Sequence, residues 1–156
     1  VCGAICSATT KLFTYGGRTK KGEVILPGNE LPYCELINGN CVLVSKTVCD
    51  AVGILDPVYP HAIGDHEYGL RALKNGFQSI TTRSFIGYCE KNDLLPLWQY
   101  SNVPLKRRLK VLYSPLGNSH PYYFFIYERK YYGIPTAVKH FFTIHLRVLI
   151  PALWKQ

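Results

Sequence analysis

The stretch from residue 61 to 76 constrains the fold most, because it contains a complete set of helix signals. Acidic residues precede basic ones, in the order that suits the two ends of a helix: Asp65, Glu67, Arg71 and Lys74. Apolar residues recur at the spacing of one helix face: Leu70, Leu73 and Phe77. Gly76 follows as a natural helix stop. The sequence therefore predicts an amphipathic helix over residues 65–75 that begins with acidic side chains.

Segments with the character of strands lie on both sides of this helix. Three apolar, β-branched or alternating runs predict strands: residues 1–7, 41–44 and 77–88. Ser45 is a favourable N-cap for a short helix over residues 46–52, which Gly53 ends. Strands that alternate with helices in this way predict an α/β fold whose strands form one mixed sheet.

Charge divides the chain near residue 100. Residues 1–100 contain nine Lys or Arg and nine Asp or Glu, whereas residues 101–156 contain nine Lys or Arg and one acid. Aromatic residues cluster at 122–127, and helical patterns cover 106–110 and 136–149. We therefore expect a neutral domain that carries the chemistry, followed by a basic, aromatic-rich helical extension with a different partner.

The six cysteines do not include a pair with the Cys-x-x-Cys spacing typical of zinc sites. No apolar run is long enough for a membrane span, and no signal-peptide pattern is present. We therefore expect no bound zinc, reduced cysteines and a cytoplasmic protein. The sequence has no methionine and opens on an apolar run, which favours an origin as the C-terminal portion of a longer chain.

Four short strings follow one another between residues 38 and 77. They read Asn38-Gly-Asn-Cys-Val-Leu-Val-Ser, Val52-Gly-Ile-Leu-Asp, Gly64-Asp-His-Glu-Tyr-Gly-Leu-Arg-Ala and Asn75-Gly-Phe. In this order and spacing they resemble the acceptor-side half of the family-2 inverting glycosyltransferases, which have the GT-A fold. The resemblance covers residues 1–100 and implies a partial GT-A domain, with a mixed sheet and flanking helices.

The resemblance also implies the chemistry of sugar transfer with inversion. Asp65 matches the general base that takes the proton from the acceptor hydroxyl. The implied donor is a nucleotide-sugar, and the implied acceptor is a glycan or lipid-linked acceptor of bacterial polysaccharide synthesis. The family's nucleotide-binding half, with its Asp-x-Asp motif, has no counterpart in this sequence. A divalent metal, Mg²⁺ or Mn²⁺, is thus expected for the whole enzyme, and no sugar transfer is expected from these residues alone.

Each residue of the predicted site has two interpretations. Asp65 is either the base or a helix N-cap. A group of turn residues lines the donor sugar or the acceptor, or forms only a turn: Asn38, Gly39 and Asn40. Glu67 orients the acceptor, or forms a surface ion pair with Arg71. His66 contacts phosphate or acceptor, or neither, and Trp98 stacks on a sugar ring or closes a core.

The basic extension over residues 101–156 has three interpretations. Cations beside aromatic rings suit the headgroup region of an anionic membrane. They also suit single-stranded nucleic acid, or form a solvated basic face over an aromatic core. The membrane is preferred, because the resembling enzymes often act on lipid-linked glycans, and this implies a peripheral position at the inner face of the cell membrane. No nucleic-acid partner is expected. The rival function for the whole chain is a non-catalytic module that binds a glycan or scaffolds a membrane complex.

Overall fold

The computed structural model describes residues 1–92, 94–117 and 119–153, which form two compact units. Unit 1 consists of Val1–Asp56 and Gly64–Asn92. Unit 2 consists of Pro57–Ile63 and the described residues after Asn92. The division therefore lies earlier than the boundary predicted at residue 100, because Trp98 packs in the core of the second unit.

Unit 1 contains a four-stranded mixed sheet, which confirms the predicted α/β class. Its strands are β1 (Cys2–Cys6), β2 (Phe13–Tyr15), β3 (Tyr33–Cys34) and β4 (Ser79–Tyr88). Their order across the sheet is β2-β1-β4-β3. β1 runs parallel to β4, and the two outer pairings are antiparallel. Every residue of β1 is buried, as expected for a short strand of small and apolar residues in the middle of a covered sheet.

Two helices complete unit 1, namely α1 (Lys46–Val52) and α2 (Gly64–Lys74), and both were predicted. Their end signals act as expected. The Ser45 side chain accepts a hydrogen bond from a backbone N–H of α1. Gly53 ends α1 at a φ of 78°, and Gly76 follows α2 at a φ of 84°, a region that favours glycine.

The predicted apolar face of α2 is wrong at Leu73, whose side chain is 40% exposed. The helix instead approaches the preceding chain through Gly69. A Cβ added there would lie 3.0 Å from the Glu35 carbonyl oxygen and 3.2 Å from a side-chain carbon of Ile37. The buried apolar side chains of α2 are Tyr68, Leu70 and Ala72. A close backbone contact, rather than the spacing of the leucines, therefore decides which side of the helix is covered.

The strand predicted over residues 41–44 is wrong in extent. An isolated bridge joins Cys2 to Val42 in place of a strand. The Leu43 N–H donates to the Val1 carbonyl at 2.9 Å, while the Leu43 side chain stays exposed. The segment thus runs beside the start of β1 without extending the sheet.

Unit 2 contains the helices α3 (Leu105–Leu112), α4 (Pro121–Tyr131) and α5 (Ile134–Leu149), with 3₁₀ turns at Leu97–Gln99 and Pro151–Leu153. The predicted helices at 106–110 and 136–149 are confirmed within α3 and α5, and the aromatic cluster lies on α4. One core cluster consists of three deeply buried side chains: Trp98, Leu112 and Val148. Among the described residues, no helix has both the length and the apolar character that crossing a membrane requires.

Candidate functional site

Asp65 lies in the first turn of α2 and is partly buried. Its Oδ2 accepts a hydrogen bond from the Gly39 N–H at 2.7 Å, and its Oδ1 accepts one from the His66 N–H at 2.8 Å. α2 begins at Gly64, so Asp65 lies within the helix and not at the N-cap position. Two backbone donors therefore fix the orientation of the carboxylate while part of the side chain remains exposed.

The turn at residues 38–40, here called the Asn38 loop, contacts Asp65 directly. Asn38 Oδ1 accepts the Asn40 N–H at 3.2 Å, so the loop is an Asx turn. The N–H of its middle residue, Gly39, is the group that donates to Asp65. A Cβ added at Gly39 would lie 3.3 Å from Asp65 Oδ2, which leaves little space between the two segments. The structure thus brings together two predicted site segments that are 26 residues apart in sequence.

A buried thiol of β1, Cys2, contacts the Asn38 loop. The Cys2 Sγ accepts a hydrogen bond from the Asn38 N–H at 3.4 Å. A hydrogen bond from the Cys34 thiol lowers the pKa of Cys2 to about 7 and raises the pKa of Cys34. Because Cys2 is fully buried, this sulfur is a structural acceptor for the loop and offers no surface for attack on a substrate.

A cavity of about 300 Å³ opens beside Asp65 and Gly39. Its other walls are mostly apolar: Ile37, Val42, Val44, Cys49, Ile54, Leu55 and Tyr68. Ligand sites commonly combine such walls with a few polar groups that fix orientation. The arrangement suits a ligand that presents an apolar face to the walls and a hydrogen-bonding group to the carboxylate.

Glu67 was predicted to bind substrate, but its side chain is fully buried and has no surface to offer a ligand. Its Oε2 accepts a hydrogen bond from the Arg71 Nε at 3.1 Å. The alternative interpretation, an ion pair with Arg71, is therefore present, although it is buried and not on the surface. Arg71 also donates to the carbonyl oxygens of Val52 and Ile54. Glu67 thus orients the guanidinium that ties α2 to the end of α1.

His66 follows Asp65 and is partly buried. Burial lowers the pKa of its imidazole; the nearby Asp65 charge opposes this shift, and Arg18 adds to it. The ring is therefore neutral at neutral pH. A neutral imidazole offers a hydrogen bond to an acceptor hydroxyl, but it provides no positive charge for the predicted contact with phosphate.

Trp98 lies in unit 2 and is only 2% exposed. Its ring packs with Leu112 and Val148, so it presents no face on which a sugar could stack. The placement agrees with the interpretation of Trp98 as a residue that closes a core.

Tyr68 is a site residue that the sequence pattern does not single out. It lines the cavity beside Asp65 and a second cavity of about 590 Å³ in the same unit. Its hydroxyl donates to the Gly53 carbonyl at 2.9 Å, and the Arg71 guanidinium lies 5.1 Å from its ring centroid. Its position three residues after Asp65, on the same face of a helix, is the sequence signal that would have indicated it.

The metal that the family resemblance implies finds no ligand set in the described part of the chain. Within residues 1–92, 94–117 and 119–153, no three His, Cys, Asp or Glu side chains are arranged to hold one ion. Asp65 lies at the cavity as a carboxylate that accepts two backbone hydrogen bonds.

Comparison of the chain with protein-family models, with curated proteins and with solved structures gave no significant match. The family resemblance therefore rests on the four short strings. The structure adds direct contacts of the third string with the first, through Asp65 and Gly39, and with the second, through Tyr68 and Arg71.

Proposed function

We propose that unit 1 is the acceptor-side part of an inverting glycosyltransferase domain with a GT-A arrangement. The observation that supports this most is the hydrogen bond from the Asn38 loop to Asp65, because it joins two of the four family-like strings. The adjoining apolar-walled cavity lies at the lower end of the volume range of ligand sites. The proposed acceptor is a glycan or lipid-linked glycan, and the proposed donor is a nucleotide-sugar.

In the proposed reaction Asp65 acts as a general base. Its carboxylate takes the proton of the acceptor hydroxyl while the hydroxyl oxygen forms a bond to the anomeric carbon of the donor. The bond from that carbon to the diphosphate oxygen breaks, and the nucleoside diphosphate leaves with the electron pair. Attack opposite the leaving group inverts the anomeric centre. No step is assigned to a metal, because the described residues provide no ligand set for one.

A second candidate function is a non-catalytic module that binds a glycan. Both Asp65 oxygens accept backbone N–H groups, and such bonds can serve simply to hold the Asn38 loop on α2. In that case the cavity binds a sugar without turnover. Removal of the Asp65 charge separates the two functions. A transferase should lose transfer while it keeps glycan binding, whereas a binding module shows glycan binding and no transfer with or without the charge.

The first test is to read the coding sequence upstream of Val1, because the transferase proposal expects nucleotide-binding strands and an Asp-x-Asp motif there. In that longer protein Asp65→Asn should lower transfer by about 10²–10⁴-fold, the usual contribution of a general base. Glycan binding, followed by nuclear magnetic resonance titration, should be nearly unchanged. The Asn side chain keeps an oxygen that accepts the Gly39 N–H, so the loop stays in place.

Asp50→Asn is the matched control, because Asp50 is an exposed carboxylate on α1 whose partner is Lys46. Its transfer rate should equal that of the unaltered protein. Full transfer by Asp65→Asn would remove Asp65 from the role of base. Glycan binding without an upstream Asp-x-Asp segment would favour the binding module, and sugar-nucleotide turnover by the 156 residues alone would contradict the expected need for a second half.

A further inference from the structure

The helix α5 exposes an apolar stripe along its whole length. At about 100° per residue, five of its large apolar side chains fall within an arc of about 120°, which they share with Pro135 and His145. These side chains, here called the α5 stripe, are each at least 39% exposed: Ile134, Val138, Phe142, Leu146 and Leu149. Ala137 and Val148, about 100–120° around the helix from the middle of the stripe, have no exposed surface.

Exposed apolar side chains that occur singly need no explanation, but a contiguous stripe of this kind marks a surface that meets a partner. A helix on the surface of a globular domain normally places charged and polar residues on its outward face. α5 does the reverse along the stripe, and Phe142 at its centre is 68% exposed.

The charge of unit 2 indicates the kind of partner. Residues 94–153 contain eight Lys or Arg and a single acid, Glu128. The Glu128 side chain is buried against His140, so it presents no negative group at the surface. Lys139 is exposed and lies at the edge of the stripe, and three exposed cations lie on α3: Lys106, Arg107 and Lys110.

We propose that the α5 stripe inserts into the headgroup region of an anionic lipid bilayer, with Lys139 at its edge on a lipid phosphate. An apolar helix face on a strongly basic unit is the pattern of a helix that lies in the plane of the interface. Anionic lipid attracts each nearby cation, whereas a second copy of this unit would bring like charges together. The inference concerns unit 2 and does not depend on what unit 1 catalyses.

The test is binding of the whole 156-residue chain to vesicles of phosphatidylglycerol and phosphatidylcholine in equal parts, measured by flotation at low salt. Phe142→Lys removes the most exposed ring of the stripe while it adds positive charge. Binding should fall by about tenfold or more, because a buried Phe side chain is lost to the bilayer. Leu146→Lys, lower on the stripe, should act in the same direction.

Leu116→Lys is the matched control, because Leu116 is 72% exposed in the same unit but lies outside α5. It makes the same change in charge and should bind at least as well as the unaltered chain. Raised salt and vesicles of pure phosphatidylcholine should each weaken binding, since both remove the attraction between cations and lipid.

Three results would overturn the proposal. One is equal binding by the Phe142→Lys and Leu116→Lys chains. Another is equal binding of the unaltered chain to neutral and anionic vesicles. The third is a chain that fails to bind vesicles but forms dimers in analytical ultracentrifugation that Phe142→Lys abolishes, because the stripe would then be an interface between copies.

Discussion

Units 1 and 2 each contain a buried carboxylate, but they pair it with different partners. In unit 1, Glu67 lies against the guanidinium of Arg71, which also binds backbone oxygens at the end of α1. In unit 2, Glu128 lies against the imidazole of His140, while most Lys and Arg side chains of α3 are exposed. Unit 1 thus uses positive charge to hold its fold, whereas unit 2 exposes positive charge at its surface.

Removal of the Arg71 guanidinium should have the largest effect. Arg71→Ala takes the positive charge away from a fully buried carboxylate and releases the loop oxygens that Arg71 binds. Breaking a buried pair in this way costs about 3–5 kcal/mol. Urea denaturation followed by circular dichroism measures the loss in the free energy of unfolding.

Arg107→Ala is the matched change in unit 2, because Arg107 is exposed on α3. Its cost should stay within about 0.5 kcal/mol, as for most surface substitutions. Equal losses in the free energy of unfolding for the two variants would contradict the difference between the units, since positive charge would then stabilise both alike.

The ends of the helices could be predicted because their signals are local. Ser45 and Gly53 bound α1, and Gly76 follows α2, through chemistry that acts within one turn of the chain. The burial of α2 could not be predicted in the same way. It depends on Gly69 meeting the carbonyl of Glu35, a contact between segments that are distant in sequence.

The candidate site was predicted in its parts but not in its assembly. Asp65 and the Asn38 loop were both indicated by the sequence, whereas the bond from Gly39 to Asp65 was not. The pair of Glu67 with Arg71 was predicted. The bonds from Tyr68 and Arg71 to backbone carbonyl oxygens were missed, because no residue pattern shows where a carbonyl will lie. The proposed transferase chemistry remains a prediction.

Packing gives a second difference between the units and a smaller expected effect. Unit 2 fills its core with large side chains such as Trp98, whereas unit 1 places Gly17 against Cys34 and Thr81 of the sheet. A Cβ added at Gly17 would lie 2.6 Å from the Cys34 Cβ and 2.5 Å from the Thr81 Oγ1. Gly17→Ala should therefore cost about 1–3 kcal/mol through overpacking, measured by the same urea denaturation.

Gly28→Ala serves as the control for Gly17→Ala, because no atom lies within 4 Å of a Cβ added there. Its effect should stay within about 0.5 kcal/mol. If Gly17→Ala were tolerated equally well, the sheet would have room for side chains, and the contrast in packing between the units would disappear.

The smallest expected effect is a loss of stability on acidification, to which a buried histidine in each unit contributes. Burial lowers the pKa of His66 in unit 1 and of His120 in unit 2. In the unfolded chain the pKa of an imidazole is about 6.5. Below that pH the unfolded chain binds protons that the folded chain does not, so the free energy of unfolding should fall as the solution is acidified.

The substitutions His66→Gln and His120→Gln separate the two contributions. Urea denaturation at about pH 7.5 and about pH 5.5 gives the loss of stability on acidification, which should be smaller in each variant than in the unaltered chain. Carboxylates titrate in all three proteins, so the difference between variant and parent isolates the imidazole. An unchanged loss in both variants would contradict the effect of burial. A loss that shrinks in only one variant would place the acid sensitivity in one unit, and would extend the electrostatic contrast between the units to their histidines.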